Sequence, residues 1–315
     1  SGKTRTFIGI TALSFDNGYD VAIVLTKGTK ALAQQTYERL KSEFNDFYHN
    51  DEVQIHDIMY LPDNLSQWEI DQKLIFVVKK QKDNLNRLYN ALFELYPELS
   101  KKKILIIDDE ADFASIGFTK TKQEIIEINV IAGQIDEIRK SLIDSDFLQV
   151  TATPYSLYLQ PDDLKIEESS KVFTPIRPAF TELVPVHNGY IGGDYYFEES
   201  ENENSIASHL YQPISEDELL VLKKSDRRKF KIEEALISKK IVSLRCAIIN
   251  FIVGGIIRRL QEQKKGERVK KYSFIVHTEQ GKAAHEWQEN VVNELKILLR
   301  ESVDYDPVLF MYFAS

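Results

Sequence analysis

Four short, strongly apolar runs punctuate the first 155 residues: 19–25 (YDVAIVL), 74–78 (LIFVV), 103–108 (KILIID) and 147–152 (FLQVTA). Stretches of helical spacing precede the first run, at 7–13, and follow the first and second, at 31–47 and 83–96, the last with Leu85, Leu88, Leu92 and Leu95 on one face. A strand covered on one side only alternates apolar with polar residues, whereas a strand covered on both sides reads as a continuous apolar run. Continuous runs alternating with amphipathic helices therefore predict a mainly parallel sheet with helices on both faces.

After residue 155 the pattern loosens. Pro154 stands just before this stretch and Pro161, Pro175, Pro178, Pro185 and Pro213 fall within it, and 198–204 (EESENEN) reads as a solvated acidic loop. Helical spacing returns over 232–263, as one long helix or two, and an apolar run at 272–277 (YSFIVH) restarts the strand pattern before a helix at 283–299. The expected organisation is a first α/β domain over 1–160, a connector or insertion over 161–230, and over 231–315 a helical segment with the incomplete beginning of a second α/β domain. One strand, one helix and the fragment at 307–310 are too few to enclose a core.

Composition narrows the function classes. A single cysteine, Cys246, excludes an internal disulfide and a cysteine-rich zinc site, and fits a reducing compartment, with the cytoplasm as the expected location. The most apolar run, 246–257, is shorter than a bilayer span, so no membrane partner is expected. A formal charge of −9 gives no support for nonspecific coating of nucleic acid, although a local basic groove remains compatible with it. His49, His56, His187, His209, His277 and His285 lack metal-ligand spacing, and neither a Ser-His-Asp arrangement nor a nuclease-type carboxylate and lysine grouping is legible.

Three segments carry chemistry. Ser1-Gly2-Lys3-Thr4 matches the last part of a phosphate loop. In such a loop, backbone amides and a helix N-terminus hold phosphate, the lysine reaches the outer phosphates and the hydroxyl binds magnesium. Asp108-Asp109-Glu110-Ala111-Asp112 places carboxylates where an apolar strand ends. One at that tip suits magnesium, the next an attacking water, so Asp109 and Glu110 fit those roles, with Asp108 leaving the magnesium role open to a shift by one residue. Thr151-Ala152-Thr153-Pro154 closes a later strand, and hydroxyls there can sense an outer phosphate. Each segment alone also has an ordinary structural reading: a chance Gly-Lys-Thr, an acidic helix cap, a strand stopped by proline.

Their order resembles the first motor domain of superfamily-two helicases, whose nucleotide-binding, hydrolysis and coupling motifs follow this sequence, and Asp109-Glu110-Ala111-Asp112 spells the DEAD motif. The segments Leu25-Thr26-Lys27 with Leu32-Ala33-Gln34-Gln35, and Val77-Val78-Lys79-Lys80, are similar to motifs that grip the nucleic-acid strand. Farther on, 173–180 (FTPIRPAF) and 189–197 (GYIGGDYYF) resemble the entry to the Z-one domain of bacterial endonucleases with a helicase-like core, found in restriction and defence settings.

The resemblance implies a RecA-like fold, with the start of a second RecA-like domain, and ATP and Mg2+ as cofactors. It implies Ser1, Gly2, Lys3 and Thr4 at the nucleotide, Thr4 and Asp109 at the metal, Lys3 and Glu110 in hydrolysis, and Thr151 and Thr153 in coupling hydrolysis to domain closure. Thr26, Lys27 and Lys79 would touch a nucleic-acid backbone, DNA being the favoured polymer, and a nuclease module would lie on the same full-length chain or in a partner. The sequence departs from the family in its shortened phosphate loop and in lacking a match to the arginine finger, a residue worth about 10³ to 10⁵ in rate. A nucleotide-gated switch or scaffold of another phosphate-loop class, and an inactive remnant of the fold, are the competing readings.

Overall fold

The computed structural model describes residues 2–27, 29–114, 122–158, 164–165, 172–173, 177–187, 189–226, 229–279 and 281–305. Two compact units divide the chain, Ser1–Val184 and Pro185–Ser315.

The first unit runs α1 (Lys3–Asp16), β1 (Val21–Thr26), α2 (Lys30–Glu43), α3 (Asn45–His49), β2 (Val53–Asp57), α4 (Gln67–Asp71), β3 (Lys73–Lys79) and α5 (Lys82–Asn90). It continues with β4 (Lys103–Asp109), α6 (Lys122–Ser141), β5 (Asp144–Val150), α7 (Tyr155–Tyr158) and a two-stranded antiparallel ribbon, β6 (Leu164–Lys165) and β7 (Val172–Phe173). Strands β1 to β5 form one all-parallel sheet of order β2-β3-β1-β4-β5. With helices around it, the sheet has the α/β, RecA-like arrangement expected.

Side-chain alternation splits the central strands between two cores. On one face Val21, Ile23, Leu25, Leu74, Phe76, Val78, Ile104 and Ile106 pack with Leu85, Leu88 and Leu92 and with Ile131, Ile135 and Ile138 of α6. On the other, Ala22, Val24, Ile75, Val77, Leu105 and Ile107 meet Phe7 and Ile8 of α1, Leu40 of α2 and Phe44. Each Val, Ile or Leu so buried stabilises the fold by about 1.5–3 kcal/mol relative to exposure. Covering on both faces accounts for the uninterrupted apolar runs.

Several elements, α4 and α6 among them, were not legible as such. Strand β2 carries only Val53 and Ile55 as core residues, because it has one neighbour and its polar positions lie outside the buried cluster. Helix α5 passes at Ala91–Leu95 into a wider, π-type turn. The extra residue in that turn rotates Leu95 off the leucine face to 49 % exposure. Tyr96 is buried instead, its hydroxyl donating to the Pro62 carbonyl at 2.6 Å and accepting from the Leu65 amide at 3.0 Å. Strand β5 begins three residues before the apolar run at 147–152 because its ladder pairs Lys103 with Asp144 through Asp109 with Val150. Among the described residues β5 forms one edge of the sheet, with Asp144 and Asp146 exposed.

The second unit contains α8 (Glu216–Lys223), α9 (Val242–Lys264) and α10 (Lys282–Tyr305) around Val221, Leu222, Phe230, Leu236, Leu244, Ile248, Val291, Leu295 and Leu299. The buried Glu218 carboxylate caps α9 by accepting from the Ser243 amide at 3.1 Å and the Leu244 amide at 2.8 Å. Residues 272–277, read as a strand from their composition, have no ladder partner among the described residues. Phe274 instead packs at a tilt against Phe251 of α9, and the Tyr272 hydroxyl donates to Glu262. An isolated strand leaves its backbone groups unpaired, so apolar content alone does not make a ladder.

The apolar run at 246–257 sits inside a longer helix. The segment Lys239–Lys264 is the one stretch among the described residues long and apolar enough to cross a membrane by length and composition. Part of it is committed to this unit's core through Leu244, Ile248 and Ile249.

Candidate active site

The chain lays β2 and β3 on one side of β1 and β4 and β5 on the other, so the strand order reverses between β1 and β4. At such a switch point the connections leave in opposite directions and open a crevice beyond the carboxyl ends of the strands. Thr26 ends β1 and Asp109 ends β4, and both line a cavity of about 420 Å³ with Lys3, Thr4, Lys27, Leu32, Gln35, Thr36, Arg39 and Glu110. That volume lies within the roughly 300–1,000 Å³ of small-molecule sites. Leu32, Gln35, Thr36 and Arg39 are spaced i, i+3, i+4 and i+7, so one face of α2 lines the cavity together with Lys3 and Thr4.

Residues 107 positions apart meet here: the Lys3 ammonium donates to Glu110 Oε1 at 2.7 Å. Lys3 is the first residue of α1, preceded by Gly2 at its N-cap; Ser1 lies outside the described residues. The Glu110 amide donates to the Asp109 carboxylate at 3.1 Å. Burial, reinforced by the neighbouring Glu110 charge and opposed by Lys3, pushes the Asp109 carboxyl above the usual aspartate range.

Asp112 lies one short turn beyond Glu110. The Thr151 hydroxyl donates to one oxygen of Asp112 at 2.8 Å and the Thr153 hydroxyl to the other at 3.0 Å, while the Thr153 amide donates back to the Thr151 hydroxyl at 3.0 Å. Burial would raise the Asp112 carboxyl, but these two hydrogen bonds and the charge of Lys3 outweigh it and hold Asp112 below its ordinary value. The phosphate-loop, acidic and threonine segments thus converge at one rim.

Asp108, the carboxylate that left the magnesium position open by one residue, is turned into the protein and does not line the cavity. Its Oδ1 accepts from the buried Lys80 ammonium at 2.8 Å. Burial pushes the Asp108 carboxyl up and Lys80 opposes that push.

Of the three residues expected at a nucleic-acid backbone, Lys27 is exposed, whereas Thr26 and Lys79 are buried. Thr26 belongs to the cavity wall, and its hydroxyl oxygen is buried without a hydrogen-bond partner among the described residues. A buried hydroxyl left unpaired is costly, which marks Thr26 as a strained position directly behind the cavity surface. The hard oxygens of Thr4 and Asp109 suit Mg2+, which in phosphate sites takes one or two protein oxygens and fills its remaining positions with phosphate and water. No cluster of three or more His, Cys, Asp or Glu side chains suited to a metal occurs among the described residues.

Sequence reading did not single out Arg39 or the buried pairing of Lys80 with Asp108. The four-residue spacing of Gln35 and Arg39 was the available signal for the first. Nothing local signals the second, because Lys80 and Asp108 are joined only when β3 and β4 flank β1. Comparison with family models, curated proteins and solved structures finds no match for this chain.

Proposed function

We propose that this chain is the nucleotide-binding part of a magnesium- and ATP-dependent nucleic-acid motor, acting on DNA within a larger cytoplasmic bacterial restriction or defence endonuclease. The nuclease module would lie elsewhere on the full-length chain or in a partner. The observation that carries the reading is the 2.7 Å contact of Lys3 with Glu110 in a cavity shared with Thr4 and Asp109, at the switch point of a parallel sheet. The DNA and endonuclease assignments rest on the motif resemblance.

Lys3 would neutralise outer phosphate charge, and Thr4 and Asp109 would hold magnesium. Metal-bound ATP supplies the activated phosphoanhydride. The Glu110 carboxylate is placed to orient a water, and Lys3 holds that carboxylate in the cavity. Asp112 ties Thr151 and Thr153 to the same short turn, so a displacement of the turn is passed to the β5 end and the chain beyond it.

The test is steady-state ATP hydrolysis by the full-length protein with Mg2+, alone and with DNA or RNA, alongside calorimetry of ATP binding with Lys3→Ala as control. Stimulation by DNA, lost in Lys3→Ala, is expected. Hydrolysis or binding indifferent to both polymers favours the nucleotide-gated switch, and absence of binding heat in both proteins favours an inactive remnant.

A further inference from the structure

The turn that carries Glu110 has a backbone conformation unfavourable for its residue type. Glu110 has φ of +55°, in the left-handed region, where a side chain other than glycine costs about 1–2 kcal/mol. Glycine would adopt this conformation without that cost. Strain of this kind persists where the surroundings over-determine it.

Here one side chain supplies the constraint. The ammonium of Lys80 donates to Asp108 Oδ1 at 2.8 Å, to the Asp109 carbonyl at 2.7 Å and to the Glu110 carbonyl at 2.9 Å. Among the described residues these acceptors come from three consecutive positions, as many as an ammonium has donors. Lys80 is only 4 % exposed and follows directly on β3, whose last residue, Lys79, pairs with Thr26, so its own backbone is anchored to the sheet. The Lys80 amide also donates to the Thr26 carbonyl at 2.8 Å. Drawing the Asp109 and Glu110 carbonyls toward one point below the rim turns the chain off the line of β4. The Glu110 side chain is then aimed at Lys3 across the cavity.

We propose that Lys80 is the positioning residue of the hydrolytic site, holding Glu110 in its left-handed conformation from beneath and so aiming its carboxylate into the cavity. The assignment of hydrolysis rests on the function proposed above; the backbone effect does not. Lys80 does not line the cavity and so acts through Glu110.

Removing Lys80 alone strands the buried Asp108 charge and endangers folding. The informative protein is therefore Lys80→Met combined with Asp108→Asn, which removes both charges and leaves the two carbonyls without their donor. A crystal structure of this double variant, prepared as the full-length protein, is expected to show Glu110 out of the left-handed region and its contact with Lys3 broken. Retention of φ near +55° with the contact intact would overturn the proposal, whether or not the wild type hydrolyses ATP.

In steady-state kinetics the variant is expected to lose about 10²-fold in kcat, the scale of a 1 Å misplacement, with KM changed far less. Lys80→Arg, which keeps a buried cation, should restore part of that loss, a rescue that a merely structural role would not give. A displaced Glu110 with undiminished kcat would refute the catalytic half alone. Absence of hydrolysis in the wild type would instead refute the proposed function and leave the crystallographic outcome decisive for Lys80.

Discussion

Replacing Thr26 by valine should change stability in one direction and ligand affinity in the other. Among the described residues the Thr26 hydroxyl oxygen has no hydrogen-bond partner, and it is buried behind the cavity in a residue only 1 % exposed at the end of a fully covered strand. Burying a hydroxyl without a hydrogen bond costs about 1–3 kcal/mol by protein substitution data, and valine keeps the β-branched shape suited to a strand. The ligand-free variant should therefore be more stable than the wild type by about 1–2 kcal/mol. For a unit of this size that raises the melting temperature by roughly 2–8 °C, at about 2–4 °C per kcal/mol.

If the hydroxyl finds its partner in a phosphate oxygen, valine forfeits a hydrogen bond to a charged group, worth about 1.5–3 kcal/mol. That corresponds to a Kd for Mg-ATP weakened roughly 10- to 100-fold. Thermal melts with and without saturating Mg-ATP, joined to calorimetry, read both effects, and Thr26→Ser serves as the control that keeps the hydroxyl. A Thr26→Val protein that melts below the wild type and binds Mg-ATP with unchanged affinity would refute the reasoning, because the hydroxyl would then be neither orphaned nor used.

Asp109→Asn should likewise raise the stability of the ligand-free protein at neutral pH. The folded-state carboxyl of Asp109 is pushed up by burial and by Glu110, so the folded state gains stability as pH falls through that raised value and is penalised above it. The same substitution should remove the Mg2+-dependent part of ATP binding, measured by calorimetry with and without the metal. Asp112 has the opposite sign: its lowered carboxyl contributes stability that is complete above the ordinary aspartate value and is lost as pH falls through its folded value. In Thr151→Val with Thr153→Val, urea titrations between about pH 7 and pH 3 should show lower stability at neutral pH and a weaker decline on acidification attributable to this group, since both oxygens of Asp112 lose their donors.

The sheet was legible because its strands are buried on both faces, which makes 19–25, 74–78 and 103–108 apolar without a break. Where a strand has a single neighbour, as in β2, the pattern shortens to Val53 and Ile55 and no longer stands out. The run at 272–277 shows the reverse: strand-like composition satisfied by ring packing of Phe274 on Phe251.

At the site, residue types and order were sufficient to single out Lys3, Asp109, Glu110, Thr151 and Thr153, because each lies at the end of an element whose direction the parallel topology fixes. What the sequence withheld was the division of labour among adjacent residues. Asp108 and Asp109 are neighbours of one type, yet the pleat sends one inward to Lys80 and the other to the cavity. Likewise Lys79 and Lys80 read as one basic pair, and only the three acceptors around Lys80 distinguish them.

The outer border of β5 has a further consequence for how the molecule behaves among its own copies. Among the described residues β5 has no neighbour on that border, and a strand edge with open amides and carbonyls invites another chain to dock alongside it. Asp144 and Asp146 stand on that border, and Asp146 accepts a hydrogen bond from the Tyr19 hydroxyl, whose proton is held so firmly that its pKa is pushed up to about 12. A second copy approaching in register would have to strip water from ionised carboxylates and bring like charges together. The acidic start of β5 thus disfavours pairing along that border, on the same strand whose far end leads to Thr151 at the candidate site.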